Sequence, residues 1–450
     1  MLSCRQRGKH VLKTSALSRR VAGRSYSNKV RVFPFVASKE QAVAWLNCGV
    51  ALTTGDRPLN TLLRYAFPSL DLDALRPVRI QPTYIPTWVV DAELEGTIWA
   101  KKQDTDDHFT KDTAQIQFAQ TELPGFTYRP LSSLSFMTPE LLEANTVPWS
   151  DDLRKNGEDE VLCPPFAHTP FRLSEAMRSL STADATVADV LRFEPSSVKE
   201  TMMAAYPVLI PVYLAQYKVA TPIKGELREM SITAYIEAGV PNGRIAGETV
   251  PILKEMLGMW NINPPDLLIA GRYKDLVHKF TNVRSLTAQN VTLAHRTLVE
   301  EYADRALVAG KPLRRYRERF FPPAQGAAAI DWTDTRIRPF EPEERHTNLR
   351  WLAASADLFL LRSMLQVYER RREGQQAGEP AVQDSEIEWV KTQIAAAEKD
   401  SEERKPAWLS AYELQERLLE GSPAPAASEA ATSEGQTQTV QQEPEQEPKP

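Results

Sequence analysis

The stretch that most restricts this chain is Thr201 to Tyr217, TMMAAYPVLIPVYLAQY, 17 residues without a charge between Glu200 and Lys218. Such a run belongs either in a bilayer or inside a folded domain. As one helix it would reach only about 26 Å, short of a hydrocarbon core of about 30 Å. Pro207 and Pro211 divide it further, because a proline ring disfavours helical geometry at the residue before it. Ser197-Val-Lys-Glu200 has the spacing of a capping box. The sequence therefore predicts a helix through Met202, Met203 and Ala205 that stops before Pro207. The remainder, PVLIPVYLAQY, is apolar at both parities and reads as a strand covered on both faces. Membrane helices tolerate proline better than soluble ones do, so a span is the alternative reading; the two-piece reading predicts none.

Residues 27–255 around this segment read as an α+β domain, an antiparallel β-sheet with flanking short helices. Ser38-Lys-Glu-Gln41 is a capping box that opens a helix to about Asn47, and Thr138-Pro139-Glu140 opens another through Leu142. Strand patterns run from Tyr84 to Ala100, Gln115 to Ala119 and Ser231 to Glu237. Pro241-Asn242-Gly243 marks a reversal. YIPTWVVDAELEG from Tyr84 and LIPVYLAQYKV from Leu209 share Ile-Pro-x-aromatic-aliphatic, which suggests a duplicated β-meander, although a proline-rich chain also produces such matches by coincidence. Residues 256–373 read as helical: Thr287 caps a helix carrying Val291, Ala294, Leu298, Tyr302 and Ala306, and Asn348 to Arg372 forms a second. Residues 374–421 hold charged helical segments, and residues 422–450 form an acidic tail of disordered composition.

The first 26 residues contain seven Lys/Arg and no Asp or Glu, the composition of a mitochondrial presequence. Arg24-Ser-Tyr26 before Ser27 resembles a processing site, and a matrix location follows as the expectation. Losing those seven charges takes the formal net charge from −5 to −12. An acidic chain is a poor nonspecific nucleic-acid binder, since affinity for phosphate needs many cationic contacts. Of three cysteines, Cys48 and Cys163 lie beyond that segment, too few for a four-ligand zinc site.

The succession VFPFVASKEQAVAWL, YIPTWVVDAELEG, YPVLIPVYLAQYK and NGRIAGE resembles a set of fungal mitochondrial proteins of unassigned function. More distantly it is similar to the β domain of bacterial zinc-ribbon proteins, with a Pro-x-Trp strand and a later strand closed by an Asn-Gly turn. The resemblance spans Val32 to Glu248, about half the chain. The bacterial ribbon needs Cys-x-x-Cys pairs; this sequence has none, so metal binding does not carry over, and neither group supplies a catalytic motif.

Three groups of residues remain as candidates for chemistry. Asp91, Glu93 and Glu95 alternate along a strand, which places three carboxylates about 7 Å apart on one face, either a face for a cation or basic partner or the solvated side of a sheet. Cys163 and His168, five residues apart in a proline-rich loop, have the residue types of a nucleophilic pair, without a third orienting group; a buried cysteine and a surface histidine are the favoured reading. Arg314, Arg315, Tyr316, Arg317 and Arg319 interleave cations with aromatics ahead of Phe320 and Phe321, a pattern for an anionic partner, whether RNA, a lipid headgroup or an acidic protein. His278 and His295 are isolated. No phosphate-binding glycine loop, nucleophile elbow or zinc-protease helix occurs, so no cofactor is expected. The function expected is a non-catalytic mitochondrial protein acting through protein contacts as an assembly or scaffold factor, with peripheral inner-membrane contact. The rivals are an RNA- or ribosome-associated factor and an enzyme with dispersed residues.

Overall fold

A computed structural model of the protein describes residues 27–101, 109–126, 135–188, 191–223, 226–248, 267–270, 283–287, 302, 330–373 and 383–420. The expected presequence and tail lie outside the described residues, as do His278, His295 and the Arg314–Arg319 segment. The main sheet includes β1 (Arg31–Val32), β2 (Arg79–Lys101), β3 (Phe109–Pro124), β4 (Lys199–Ile223), β5 (Glu226–Glu237), β6 (Ile245–Glu248), β7 (Leu267–Ala270) and β8 (Val283–Thr287). The helices are α1 (Lys39–Thr54), α2 (Pro58–Ala66), α3 (Pro139–Glu143), α4 (Leu173–Arg178), α5 (Pro342–Glu373), α6 (Asp384–Glu403) and α7 (Ala407–Glu420). The long strands follow the order β7-β6-β5-β4-β2-β3-β8, all antiparallel, in an α+β fold.

The uncharged stretch is one strand, not a helix followed by a strand. β4 runs through all 17 of its residues and pairs with β2 along most of its length. The capping box before it fails because both of its members are bonded elsewhere. The Ser197 hydroxyl donates to Glu194 O (2.7 Å) and accepts from Thr97 N (2.7 Å), tying the turn to β2. Glu200 accepts from the Ser174 hydroxyl (2.9 Å) and pairs with Arg336 (3.1 Å). Among the described residues no helix is long and apolar enough to cross a membrane.

Four prolines, Pro82, Pro86, Pro207 and Pro211, sit where the two central strands pair with each other, a place where a missing N–H would ordinarily break a ladder. The hydrogen bonds show why they are tolerated. Tyr84 N donates to Leu162 O, while Leu162 N donates to Pro82 O and Gly125 N to Pro86 O. The amide positions of Pro82 and Pro86 therefore point away from β4. On that side β3 begins to pair only at Thr87. On β4, Leu209 O accepts from Phe33 N and Pro211 O from Ala238 N, so Pro207 and Pro211 point away from β2, where β5 begins to pair only at Val212. Each strand is flanked by a long neighbour along only one half of their mutual pairing, and these four prolines occupy the other half.

That arrangement repeats within the chain. Ile85 pairs with Ile210, its own counterpart in the Ile-Pro repeat, so a local twofold passes between them. The parallel bridge Thr83–Leu162 matches the parallel pairing of Val208 with Arg31. Val36 N and Ala37 N both donate to Ala238 O, just as Ala167 N and His168 N both donate to Gly125 O. Trp88 Nε1 donates to His168 O (2.7 Å), and Tyr213, its counterpart, donates to Ala37 O (3.2 Å). The repeated unit thus includes the segment ahead of each helix, VRVFPF from Val30 and VLCPPF from Val161, as well as the strands.

Helices α1 and α4 cover one face. Ala42, Leu46 and Val50 pack on Tyr213, Ala215 and Tyr217, and Leu173 and Met177 join the core of Trp88, Val90, Ala92 and Leu94. The opposite face, with Ile85, Val89, Tyr206, Val208 and Ile210, is covered by Phe136, Leu141, Trp351, Leu352, Trp408 and Leu409. Cover on both sides is the reason β4 is apolar at both parities. The turn at Pro241-Asn242-Gly243 joins β5 to β6, with Asn242 at φ 57°. A Cβ at Gly243 would lie 2.0 Å from Glu237 O, so only glycine fits there.

Two expectations beyond Pro251 change. β7 and β8 extend the two ends of the sheet, and Thr287 ends a strand instead of capping a helix. Of the helix expected after it, only Tyr302 is described; it is buried and its hydroxyl donates to Met177 O (3.0 Å). The predicted helix Asn348 to Arg372 lies within α5, and α6 and α7 follow.

Candidate functional site

The carboxylate row on β2 lies beneath a helix and is not a solvated face. Alternation sends Val90, Ala92 and Leu94 toward the α4 side, and Asp91 and Glu93 toward α5. Both acids are fully buried, whereas Glu95 is half-buried at the end of the row. A bulge in β3 opposite Asp91 gives Gln120 a positive φ of 53° and turns its N–H onto Asp91 Oδ1 at 2.7 Å. Tyr206 on β4 donates its hydroxyl to Asp91 Oδ2 at 2.8 Å. Asn348 of α5 donates to that same Tyr206 oxygen (2.6 Å) and accepts from Trp408 Nε1 of α7 (3.1 Å). An unbroken chain of hydrogen bonds thus runs from the sheet through α5 to α7.

Glu93 forms a second anchor. It accepts from the Ser355 hydroxyl of α5 (2.9 Å) and from Gln117 Nε2 of β3 (2.8 Å). Gln117 also donates to Leu352 O (2.7 Å), and Gln115 donates to Ser355 Oγ (3.2 Å). Burial raises the Asp91 carboxyl to about 6, opposed by the Gln120 and Tyr206 hydrogen bonds and the charge of Arg345. Burial raises Glu93 to about 7, against the hydrogen bonds from Gln117 and Ser355 and with the help of Glu95. Desolvation outweighs hydrogen bonding at both positions.

Further along the same face, Glu122 accepts from the Ser135 hydroxyl (3.1 Å), Phe136 N and Met137 N (3.0 Å). Arg244 pairs with Glu237 and donates to Ser135 O. These bonds fix residues 135–137, which cover the sheet ahead of α3. Such buried polar groups stabilise only as complete sets, because an orphaned member carries the full desolvation cost.

Cys163 and His168 are both buried. The thiol donates to Val161 O (3.4 Å), and burial pushes it up to about 12. Burial lowers the imidazole to about 4, helped by the charge of Arg172. At neutral pH the pair is a thiol and a neutral ring, the reverse of the thiolate and imidazolium that nucleophilic chemistry uses. Among the described residues no group of three or more His, Cys, Asp or Glu is placed to hold a metal ion.

Sequence reasoning singled out Asp91 and Glu93 but missed Tyr206, Gln117, Asn348, Ser355 and Trp408, which come from four other elements. The one local signal was the alternation of Gln115 and Gln117 with Ala114, Ile116 and Phe118, and glutamines on a covered face must find partners. No family model matches the chain, and neither a curated protein nor a solved structure matches it significantly.

Proposed function

We propose that the protein is a non-catalytic mitochondrial component, located in the matrix, that acts through protein contacts as an assembly or scaffold factor. The observation that carries this reading is the use made of its reactive groups. Asp91, Glu93, Cys163 and His168 are buried; Glu93 bonds α5 to the sheet directly, and Asp91 does so through Tyr206 and Asn348. The C-terminal helices in turn present apolar side chains outward: Leu360 and Met364 on α5, Trp389 on α6, Leu414 and Leu418 on α7. Aromatic and Met side chains of this kind are enriched at protein interfaces.

Co-purification of the full-length chain from gently lysed mitochondria tests the reading. A defined complex that is lost on Trp389→Asp together with Met364→Asp, with the fold intact, is the expected result. A monodisperse monomer without partners would overturn it. Import into isolated mitochondria with amino-terminal sequencing tests the address; a mature chain beginning at Ser27 is expected.

A further inference from the structure

Helices α5, α6 and α7 follow every described strand in the chain, so they can lift from the sheet without breaking a ladder hydrogen bond. Their apolar seam with the sheet is formed by Trp351, Leu352, Trp408 and Leu409. The polar seam runs through two carboxyls. Ser355 bonds Glu93, and Asn348 reaches Asp91 through Tyr206 while also holding Trp408 of α7. Asn348 thus ties α5, α7 and the sheet at one point, and loss of its bond to Tyr206 loosens both helices.

Glu237 and the partly buried Glu200 each have an arginine bonded to them, Arg244 and Arg336. Among the described residues no cation is bonded to Asp91 or Glu93. Few charged groups face the pair. From β2 comes Glu95, a like charge beside Glu93, and from β4 the Tyr206 phenol. From α5 the charge of Arg345 reaches Asp91, although its guanidinium donates to Leu142 O (2.9 Å) and covers the Phe340 ring, and Glu344 acts on Tyr206. The uncharged Gln115, Gln117 and Gln120 amide of β3 and Trp408 of α7 complete the surroundings. Gln115 Oε1, on the amide that bonds Ser355, is buried without a donor, so the ionised set holds one acceptor too many. A buried carboxyl without a counter-charge is more stable as the neutral acid.

We infer that α5–α7 form a proton-gated cover, closed on the sheet when Asp91 and Glu93 carry protons and lifted from it when the two ionise. Lifted, the carboxyls meet water and titrate in their ordinary range. Docked, they titrate at about 6 and about 7, so protons bind the closed form and rising pH opens it. Opening uncovers a polar row, Asp91, Glu93, Gln115, Gln117 and Tyr206, across three adjacent strands.

Hydrogen exchange of the full-length chain from pH 5 to 8, with rates corrected for the intrinsic pH dependence of amide exchange, reads this opening. Amides of α5 and α7 should be less protected than those at the centre of β4 at every pH. Their opening constant should grow about a hundredfold from pH 5 to pH 7 and little beyond pH 8. Glu93→Gln should remove the larger share of that growth, and Glu93→Gln with Asp91→Asn should abolish it. Equal protection of α5, α7 and β4 throughout would show that the helices open only with the whole protein, and would overturn the inference. So would an opening constant that is independent of pH in the parent chain, or undiminished growth in the double variant. The parent chain alone decides the matter if the variants fail to fold.

Discussion

The two halves of the sheet are built alike in the backbone and differently on one face. Asp91 and Glu93 of β2 occupy the positions that Gln216 and Lys218 occupy on β4, counted from Pro86 and Pro211. Asp91 and Glu93 lie under α5, completely buried and bonded to it or to Tyr206, whereas Gln216 and Lys218 are exposed between the buried Ala215, Tyr217 and Val219. The solvated polar edge that alternation suggests for the first half is therefore found in the second. A strand's period fixes which residues share a face; it does not say whether that face meets water or a helix. The same polar positions serve as surface in one half and as anchors in the other.

Matched substitutions across the repeat test this contrast. The largest effect is expected from Asp91→Ala or Glu93→Ala, which leaves buried donors without an acceptor and a void beneath α5. A loss of about 2–4 kcal/mol is expected in urea unfolding, against a barely moved midpoint for Gln216→Ala or Lys218→Ala. Equal losses in the two halves would show that cover by α5 makes no energetic difference.

pH gives the next effect. Asp91 rises from 3.8 to about 6 on folding and Glu93 from 4.5 to about 7, so the folded protein holds these protons more tightly. Their contribution to stability is complete below about pH 4 and declines as the pH rises through 6 to 7. Unfolding midpoints followed from pH 4 to 8 should show that decline superimposed on the other titrations of the chain. Asp91→Asn with Glu93→Gln should flatten it, while Gln216→Glu should not reproduce it, because that position is exposed.

A smaller effect comes from the paired aromatic anchors. Tyr213→Phe removes the bond to Ala37 O and the one its hydroxyl accepts from Asn156 Nδ2 (2.8 Å), and should cost about 1–2 kcal/mol. Trp88→Phe removes the indole bond to His168 O and also leaves a void, for roughly 2–3 kcal/mol. Calorimetry of both variants would show whether the repeated bonds contribute comparably once the void is allowed for. The smallest effect is where the long neighbour is missing: Pro86→Ala and Pro211→Ala should each lower stability by only about 0.4–1 kcal/mol through the unfolded chain. A larger gain or loss at one of them would mean that its missing N–H does matter to the ladder.

Much of the fold is legible locally. The Ser38 capping box is formed as its spacing requires, Ser38 accepting from Gln41 N and Gln41 from Ser38 N, and it opens α1. Thr138 caps α3, Asn242 and Gly243 turn β5 into β6, and the amphipathic text from Asn348 is helical. In each case the signal and the structure it specifies lie within a few residues of each other. The second capping box, Ser197 to Glu200, fails for the opposite reason. Its two members are engaged by Thr97, Ser174 and Arg336, which are distant in the chain.

The sequence by itself determined that Thr201 to Tyr217 must be buried, that its prolines exclude an uninterrupted helix, and that the Ile-Pro segments resemble each other. Periodicity, ring geometry and the cost of exposing apolar surface act along the chain and need no partner. Tertiary structure alone decided that the prolines fall where β2 and β4 lack a long neighbour, and that Asp91 and Glu93 are raised by burial instead of solvated. Those outcomes depend on which element lies across from a residue, and hydrogen bonding and desolvation are settled by that neighbour, whatever its distance along the chain.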